Sequence, residues 1–561
     1  MRRHLTAGRL TLAAILAGGL AVRLYGLHHG LPFIYHSDES QHFTRYAVRM
    51  FDEGFNPHYF QNPTTFTYLT HVALWLRGFD DIATEYAGDP SAIYEIARLV
   101  AVALSLLGVA AVYAVGRRLW GTFEGVVAAA VLAFAALPVA YSRYAVTDVG
   151  VLLPVAVAVY GLVKIHEEGA LRHYAIAGGG FGLTVAFKYT AGLILVPLLV
   201  AVVLRAWRAE QPLRQVVAGA SLAGGVAVLV FFVTNPYFVL DLGEALDQLR
   251  AQRDAAADRK VGQVEENPFG FYLSSLTWGV GWGVLVAAVA GAVWEFARDR
   301  VRAVLLVLFP LLLFLYLGSD AERYFARWLL PAYPILALLA GVAIAGAARS
   351  LSGRPALRAG AVAVLTALAM AQPVVTILHT GSVLEKADTR ELARNYMLEN
   401  LPSGTRLVVD AVAIRPQYDL PQLGIPPEPD QPVFPIGFSA PPKDDDPVTQ
   451  DPVRTTRFLE DLAPTRVDRY RADGYCVVVT MSWLRERAAI GGLDEAVAYY
   501  DRLERESRVL FRASPYDDPG DPEPFDFDQT HLYWSKRYDR TGPEVVVREL
   551  DRCRNGGGRG A

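Results

Sequence analysis

Long apolar stretches recur eleven times before position 379: 10–27, 93–115, 120–140, 148–164, 173–187, 190–206, 215–234, 275–294, 302–318, 324–347 and 358–378. A helix needs about 20 apolar residues to cross the hydrocarbon core, so the pattern predicts eleven transmembrane helices. The first stretch leads into His28 without an A-x-A-like cleavage site, which argues against a cleaved signal peptide. Residues 173–206 also admit one broken helix, which would move every later turn to the opposite face. Two shorter patterns repeat apolar residues at helical spacing: Phe43, Tyr46, Ala47 and Met50, then Phe66, Leu69, Val72, Ala73 and Leu76. Both are too short to span and are expected to lie along the membrane surface.

Beyond 379 the pattern changes. Apolar runs shorten and prolines and charges increase. Glu391 to Asn400 and Leu493 to Phe511 read as helices. Arg406 to Asp410, Tyr475 to Met481, His531 to Tyr538 and Glu544 to Leu550 read as strands. Pro421 to Pro447 reads as loop and Gly556 to Ala561 as a tail. The expected organisation is a membrane domain, 1–379, with outer loops 28–92 and 235–274, and a soluble α/β domain, 380–561.

Charge orients this scaffold. Arg2, Arg3 and Arg9 place the N-terminus in the cytoplasm. Alternate turns then carry the cations: Arg117-Arg118, Lys164 to Arg172, Arg205 to Arg214, Arg298 to Arg302 and Arg349 to Arg358. An odd number of spans leaves the C-terminal domain outside the cytoplasm of a multi-pass protein of the cell membrane. The composition, 53% hydrophobic in 561 residues with a net charge of −4, excludes an ordinary soluble domain and contains no basic tract for nucleic acid. The two cysteines, Cys476 and Cys553, lie in the outer domain. They fit either one disulfide in an oxidising compartment or a buried strand thiol.

The outward turns hold the candidate chemistry. Tyr35-His36-Ser37-Asp38-Glu39-Ser40-Gln41-His42 follows the first span, and the later turns hold Arg143 and Asp148, Lys188 and Tyr189, and Glu322, Arg323 and Arg327. Ionisable groups at the edge of apolar segments are costly unless paired or wet, so several at one depth predict a shared polar cavity. Asp38 also fits a helix N-cap with Gln41 completing a capping box. Neighbouring helical residues point about 100° apart, so one of Asp38 and Glu39 faces the cavity while the other holds structure. His36, Asp38 and His42 follow no known metal spacing. Asn62-Pro63 reads as an N-cap and first helical residue. Gly178, Gly180 and Gly182 read as close helix packing. Asp526-Phe527-Asp528 reads as solvated surface.

These residues together resemble the GT-C fold glycosyltransferases, the group that includes protein O-mannosyltransferases and bacterial aminoarabinose transferases of lipid A. The resemblance rests on Asp38-Glu39, Tyr59-Phe60-Gln61-Asn62-Pro63-Thr64, Ser142-Arg143-Tyr144 with Asp148, Lys188-Tyr189-Thr190, Asn235-Pro236-Tyr237 and Arg327-Trp328-Leu329-Leu330-Pro331. Asp388-Thr389-Arg390 resembles the start of the outer domain of bacterial members. Gln41 stands where aminoarabinose transferases carry a basic residue, and Asn62-Pro63-Thr64 where they carry Lys-Pro-Pro. The absence of these cations argues against lipid A modification and shifts the phosphate role to other residues. The resemblance implies an inverting transfer of a sugar from a polyprenyl-phosphate donor to a hydroxyl of a lipid, glycan or protein on the outer face. Asp38 is the expected base, with Glu39 beside it. Lys188, Arg327, Arg143 and Arg323 are expected at the donor phosphate. Asp148, Asn62, His42 and Tyr189 are expected to orient substrate. The scheme requires no cofactor, and no metal-ligand spacing supports a divalent ion. The competing class is a polytopic transporter or flippase of lipid-linked sugars, which would favour two-half symmetry and charges at mid-membrane.

Overall fold

The computed structural model describes residues 2–208, 212–257, 261–263, 267–319, 323–351, 354–402, 405, 407–410, 462–472, 474–525 and 533–553. The stretches 421–447, 526–528 and 556–561, along with Glu322, lie outside these residues.

Helix α1 (Arg2–Leu24) enters the bundle. A polar loop follows, with short helices α2 (Ser37–Gln41) and α3 (Thr44–Arg49), then α4 (Thr65–Arg77) and α5 (Ile82–Gly88). Thr64, not Asn62, occupies the N-cap of α4. The Thr64 N–H donates to Asn235 Oδ1 at 2.6 Å, which ties the helix start to the end of the helix Leu213–Thr234. One face of α4 leaves Val72, Trp75 and Leu76 exposed, as a helix bordering lipid would.

The bundle continues through α6 (Ser91–Leu119), α7 (Thr122–Ala133), α8 (Ala136–Ser142), α9 (Leu152–Glu167), α10 (Leu171–Phe187), α11 (Leu195–Trp207) and α12 (Leu213–Thr234). Two helices outside it, α13 (Pro236–Leu240) and α14 (Leu242–Ala257), precede α15 (Pro268–Leu276), α16 (Trp282–Arg298), α17 (Arg300–Ser319), α18 (Tyr333–Leu351) and α19 (Pro355–Leu384). Among the described residues eight helical stretches are long and apolar enough to cross a membrane, nine if α7 and α8, bent by 56°, form one span. The other two expected segments, 10–27 and 173–187, are occupied by α1 and α10.

Residues 173–206 form two antiparallel helices, not one broken helix. Lys188, in extended conformation, separates α10 from the 3-10 turn Tyr189–Ile194 and α11. Near the end of α11, Arg205 donates to the carbonyls of His166 and Glu167, at 3.4 Å each. These carbonyls end α9, directly before α10 starts, so the chain runs out along α10 and returns along α11. The cation-bearing turns meet at that same end: Arg302 pairs with Glu167 and, at 3.3 Å, with Glu295, Trp120 donates to Glu295 at 3.1 Å, and Arg349 pairs with Glu124.

Glycine lets the passes approach. A Cβ at Gly180 would lie 2.5 Å from Ala158 N, and one at Gly161 2.6 Å from Ala177 Cα. At Gly178 and Gly182 it would strike the carbonyls of Ala223 and Ala227. This is helix packing at backbone distance.

Past the expected boundary at 379, α19 continues to Leu384. The soluble part contains α20 (Thr389–Asn400), α21 (Arg466–Ala472), α22 (Ser482–Ile490) and α23 (Asp494–Arg505) around β1 (Leu407–Val409), β2 (Val477–Met481), β3 (Ser507–Ala513) and β4 (Val545–Leu550). The sheet order is β1-β2-β4-β3; β1 and β2 are parallel and the other pairs antiparallel. The helix expected to run to Phe511 stops at Arg505, because the next segment, Ser507–Ala513, pairs antiparallel with β4. Of the strand expected at His531 to Tyr538, the described part makes only an isolated bridge, Tyr516 to Tyr538. Cys476 and Cys553 form a disulfide.

Candidate active site

Three bundle segments begin with a 3-10 turn at the end opposite the cation network: Asp148–Val151, Tyr189–Ile194 and Ala326–Ala332. Irregular backbone at such depth is tolerated where it lines a polar cavity or is buried in protein. The acidic turn sits against it.

The two acids separate. Glu39 is fully buried, and Arg98 of α6 donates to both its oxygens, at 2.7 and 2.8 Å. The Ala145 N–H adds a third bond at 2.9 Å. Arg98 also donates to the carbonyls of Leu27 and His29, at 2.5 and 2.9 Å, so the pair bolts the first loop to α6. Asp38 is 29% exposed, and its Oδ2 lies 3.0 Å from Arg327 Nη2. His36 caps α2: its Nδ1 accepts from the Glu39 N–H at 3.4 Å, and its ring stands 4.5 Å from Tyr144. Burial lowers the His36 pKa, which keeps that nitrogen an acceptor.

The cations expected at the phosphate divide likewise. Lys188 Nζ lies 2.5 Å from Asp148 Oδ1 and 3.4 Å from the Arg327 carbonyl. Asp148 opens the helical run into α9 and Lys188 closes α10, so each charge also complements a helix end. The Arg327 guanidinium lies 4.0 Å over the Phe325 ring and 3.5 Å from the Tyr141 hydroxyl. Arg323 is half-buried on the approach to this turn. Arg143 is not brought into the cluster. Fully buried, it donates to the Val22 carbonyl at 2.7 Å, at the end of α1, and lines a small separate cavity with Trp278, Thr376, Thr380 and Tyr533. A helix end needs such a donor for its orphan carbonyls.

Of the expected orienting residues, His42, Asn62 and Tyr189 lie along one wall, while Asp148 pairs with Lys188 instead. His42, Tyr59 and Tyr46 stack in parallel, with centroids 5.1 and 4.7 Å apart. Asn62 Nδ2 donates to the Tyr59 hydroxyl at 2.5 Å, and the Tyr189 hydroxyl donates to the Phe60 carbonyl at 3.2 Å. Sequence reasoning missed Arg98. Its signal was a lone arginine inside an apolar span, where a charge requires a partner.

Among the described residues one group of side chains has metal-ligand atoms within 4.8 Å of each other: His58, Asp241 and Glu244. It is on the surface, and its hydrogen bonds lace the 56–60 loop to α14: His58 Nδ1 lies 2.7 Å from Glu244 Oε2, and Asn56 donates to Asp241 at 3.0 Å.

This architecture is that of the GT-C glycosyltransferases, and the chain has the GT-C fold in a multi-pass membrane protein. The family model described as dolichyl-phosphate-mannose-protein mannosyltransferase matches residues 93–238. The apo oligosaccharyltransferase of Archaeoglobus fulgidus superposes with a TM-score of 0.54 at 12% identity, covering 92% of this chain and 75% of that one. ArnT from Cupriavidus metallidurans, in the apo state, superposes at 0.53 and 15% identity, covering 96% and 98%. The archaeal oligosaccharyltransferase AglB in complex with an inhibitory peptide and a dolichol-phosphate superposes at 0.50 and 12% identity, covering 92% and 74%. No curated protein matches the sequence.

Proposed function

We propose that the protein is an inverting glycosyltransferase that moves a sugar from a polyprenyl-phosphate donor to an acceptor hydroxyl on the extracytoplasmic face. The observation that carries this reading is the half-open Asp38 carboxylate in contact with Arg327, beside the Lys188–Asp148 pair. A base and two cations thus share one end of a bundle that has the GT-C fold.

The chemistry follows from those contacts. The donor phosphate takes Arg327 and Lys188 as counter-ions, and Arg327 turns from Asp38 towards it. Asp38, released from its partner, accepts the proton of the acceptor hydroxyl as that oxygen attacks the anomeric carbon. The carbon–oxygen bond to phosphate breaks, and polyprenyl phosphate leaves with the bonding pair. A cation about 4 Å from the phosphate contributes on the order of 4 kcal/mol at an effective dielectric of 20. One base without a covalent carboxylate partner gives inversion. The stacked rings of His42 and Tyr59, with Asn62 on the Tyr59 hydroxyl, orient the sugar. Glu39 acts by holding the turn rather than by touching substrate. The cation-rich turns at the opposite end support this face, and the Cys476–Cys553 bond suits an oxidising compartment.

The test uses membranes containing wild type or Asp38→Asn at matched expression and a panel of radiolabelled polyprenyl-phosphate sugars. Release of polyprenyl phosphate with transfer of label by wild type alone is expected. Equal transfer by both removes Asp38 from the chemistry. Movement of labelled lipid across the bilayer without transfer favours a transporter.

A further inference from the structure

A buried cation of the C-terminal domain touches the acidic turn. Arg390 and Asp388 pair in a fork, Nε to Oδ1 at 2.7 Å and Nη2 to Oδ2 at 2.8 Å. Both side chains are nearly inaccessible, at 4% and 2%. Thr389 between them is fixed to the segment leading into β4: its N–H donates to the Thr541 carbonyl at 3.1 Å and its hydroxyl to the Pro543 carbonyl at 2.6 Å. The fork therefore belongs rigidly to the soluble domain. Its guanidinium lies 3.7 Å over the ring of Tyr35, three residues before Asp38. Arg394, one helical turn on, lies 4.9 Å over Phe33.

From the other side the turn is held by the membrane domain, through His36 on Tyr144 and Glu39 on Arg98. The soluble domain also grips the second loop that flanks the site. Arg487 Nε donates to the Val261 carbonyl at 3.1 Å, and Val261 packs into the soluble core. A guanidinium already committed to a carboxylate in a planar fork has little freedom left. Its ring contact therefore sets where Tyr35 sits and, through the two residues between, how Asp38 enters α2. Misplacing a reacting group by about 1 Å costs on the order of 100-fold in rate.

We propose that Arg390 is a positioning residue: acting through Tyr35, it holds Asp38 in its reactive orientation, so sugar transfer requires the docked C-terminal domain. The proposal rests on Asp38 being the base, and its test separates the two ideas. Hydrogen exchange is measured by mass spectrometry on the full chain in detergent, over residues 35–42, with β2 and β4 as the internal reference for folding of the soluble domain. Arg390→Ala is expected to speed exchange at 35–42 about tenfold or more, with the sheet unchanged. Tyr35→Leu, which leaves the fork intact, is expected to do the same, and Tyr35→Phe to behave as wild type. In the transfer assay Arg390→Ala and Tyr35→Leu lower kcat about tenfold or more with donor KM nearly unchanged. Arg390→Lys, which keeps a cation over the ring, regains part of the rate.

Unchanged exchange at 35–42 in Arg390→Ala with an intact sheet overturns the proposal. If that variant also loosens the sheet, Tyr35→Leu decides, and unchanged exchange there overturns it. Absence of transfer by the wild type defeats the Asp38 reading, while the exchange data still decide whether Arg390 holds the turn.

Discussion

Asp38 and Glu39 are adjacent, chemically alike and opposite in role, because of what their oxygens touch. Glu39 has two arginine bonds and one amide bond in a buried site; Asp38 pairs with Arg327 and keeps 29% of its side chain exposed. Glu39→Gln leaves the Arg98 charge buried without its counter-charge, which costs about 3–5 kcal/mol, and is expected to lower the yield of folded protein and its thermal unfolding temperature in detergent. Asp38→Asn keeps shape and removes the proton acceptor. Its unfolding temperature should stay near wild type while transfer falls about 100- to 10,000-fold. In the soluble domain, burial pushes the Asp410 carboxyl up to about 7, although it accepts from the Tyr500 hydroxyl and the Met481 N–H. Between about pH 4 and 7 the folded state keeps a proton that the unfolded chain releases, so stability falls as pH rises through that window. Asp410→Asn should flatten this slope in melts of the full chain across the same pH range.

At the level of elements, the passage from α10 to α11 places Lys188. A single extended residue reverses the chain there, and the direction of each helix depends on how closely its neighbours approach. Gly180 meets Ala158 at backbone distance, and α10 also lies against α12 through Gly178 and Gly182. A leucine at Gly180 cannot enter without moving α9 or α10. Gly180→Leu is therefore expected to give aggregated or protease-sensitive protein. Gly224→Ala, on a stretch with no atom within 4 Å of the added carbon, should express as wild type. Equal behaviour of the two variants in size-exclusion profiles would refute close packing as the reason for these glycines.

At the scale of the molecule, the charged turns gather at one end and the acidic turn, Lys188, Arg327 and the soluble domain at the other. The disulfide closes a loop of 77 residues across the soluble domain, and a loop of this length stabilises by about 4.5 kcal/mol in the chain-entropy treatment. Reduction is expected to lower the unfolding temperature of the soluble domain. Sidedness is tested with single cysteines and a membrane-impermeant maleimide. Lys536→Cys, on the exposed surface of the soluble domain, should label in intact cells. Arg172→Cys, 72% exposed at the opposite end, should label only after permeabilisation; the reverse pattern would invert the proposed topology.

The sequence by itself determined the helical bundle of long apolar segments and the presence of a C-terminal α/β domain. These follow from local quantities: the length of an apolar run and the period of a strand or helix. It also marked Asp38, Lys188 and Arg327 as charges requiring a shared cavity. Only the tertiary structure decided which acid faces outward, because that depends on Arg98, 59 residues away. It moved Arg143 to the end of α1, because the orphan carbonyl of Val22 comes within its reach only after folding. It ended the helix after Leu493 at Arg505, because β4 offers the next residues a partner strand. It also set Arg390 of the C-terminal domain on Tyr35. Each of these outcomes is a contact between residues distant in the chain, and local hydrophobic pattern contains no term for a partner that arrives from elsewhere.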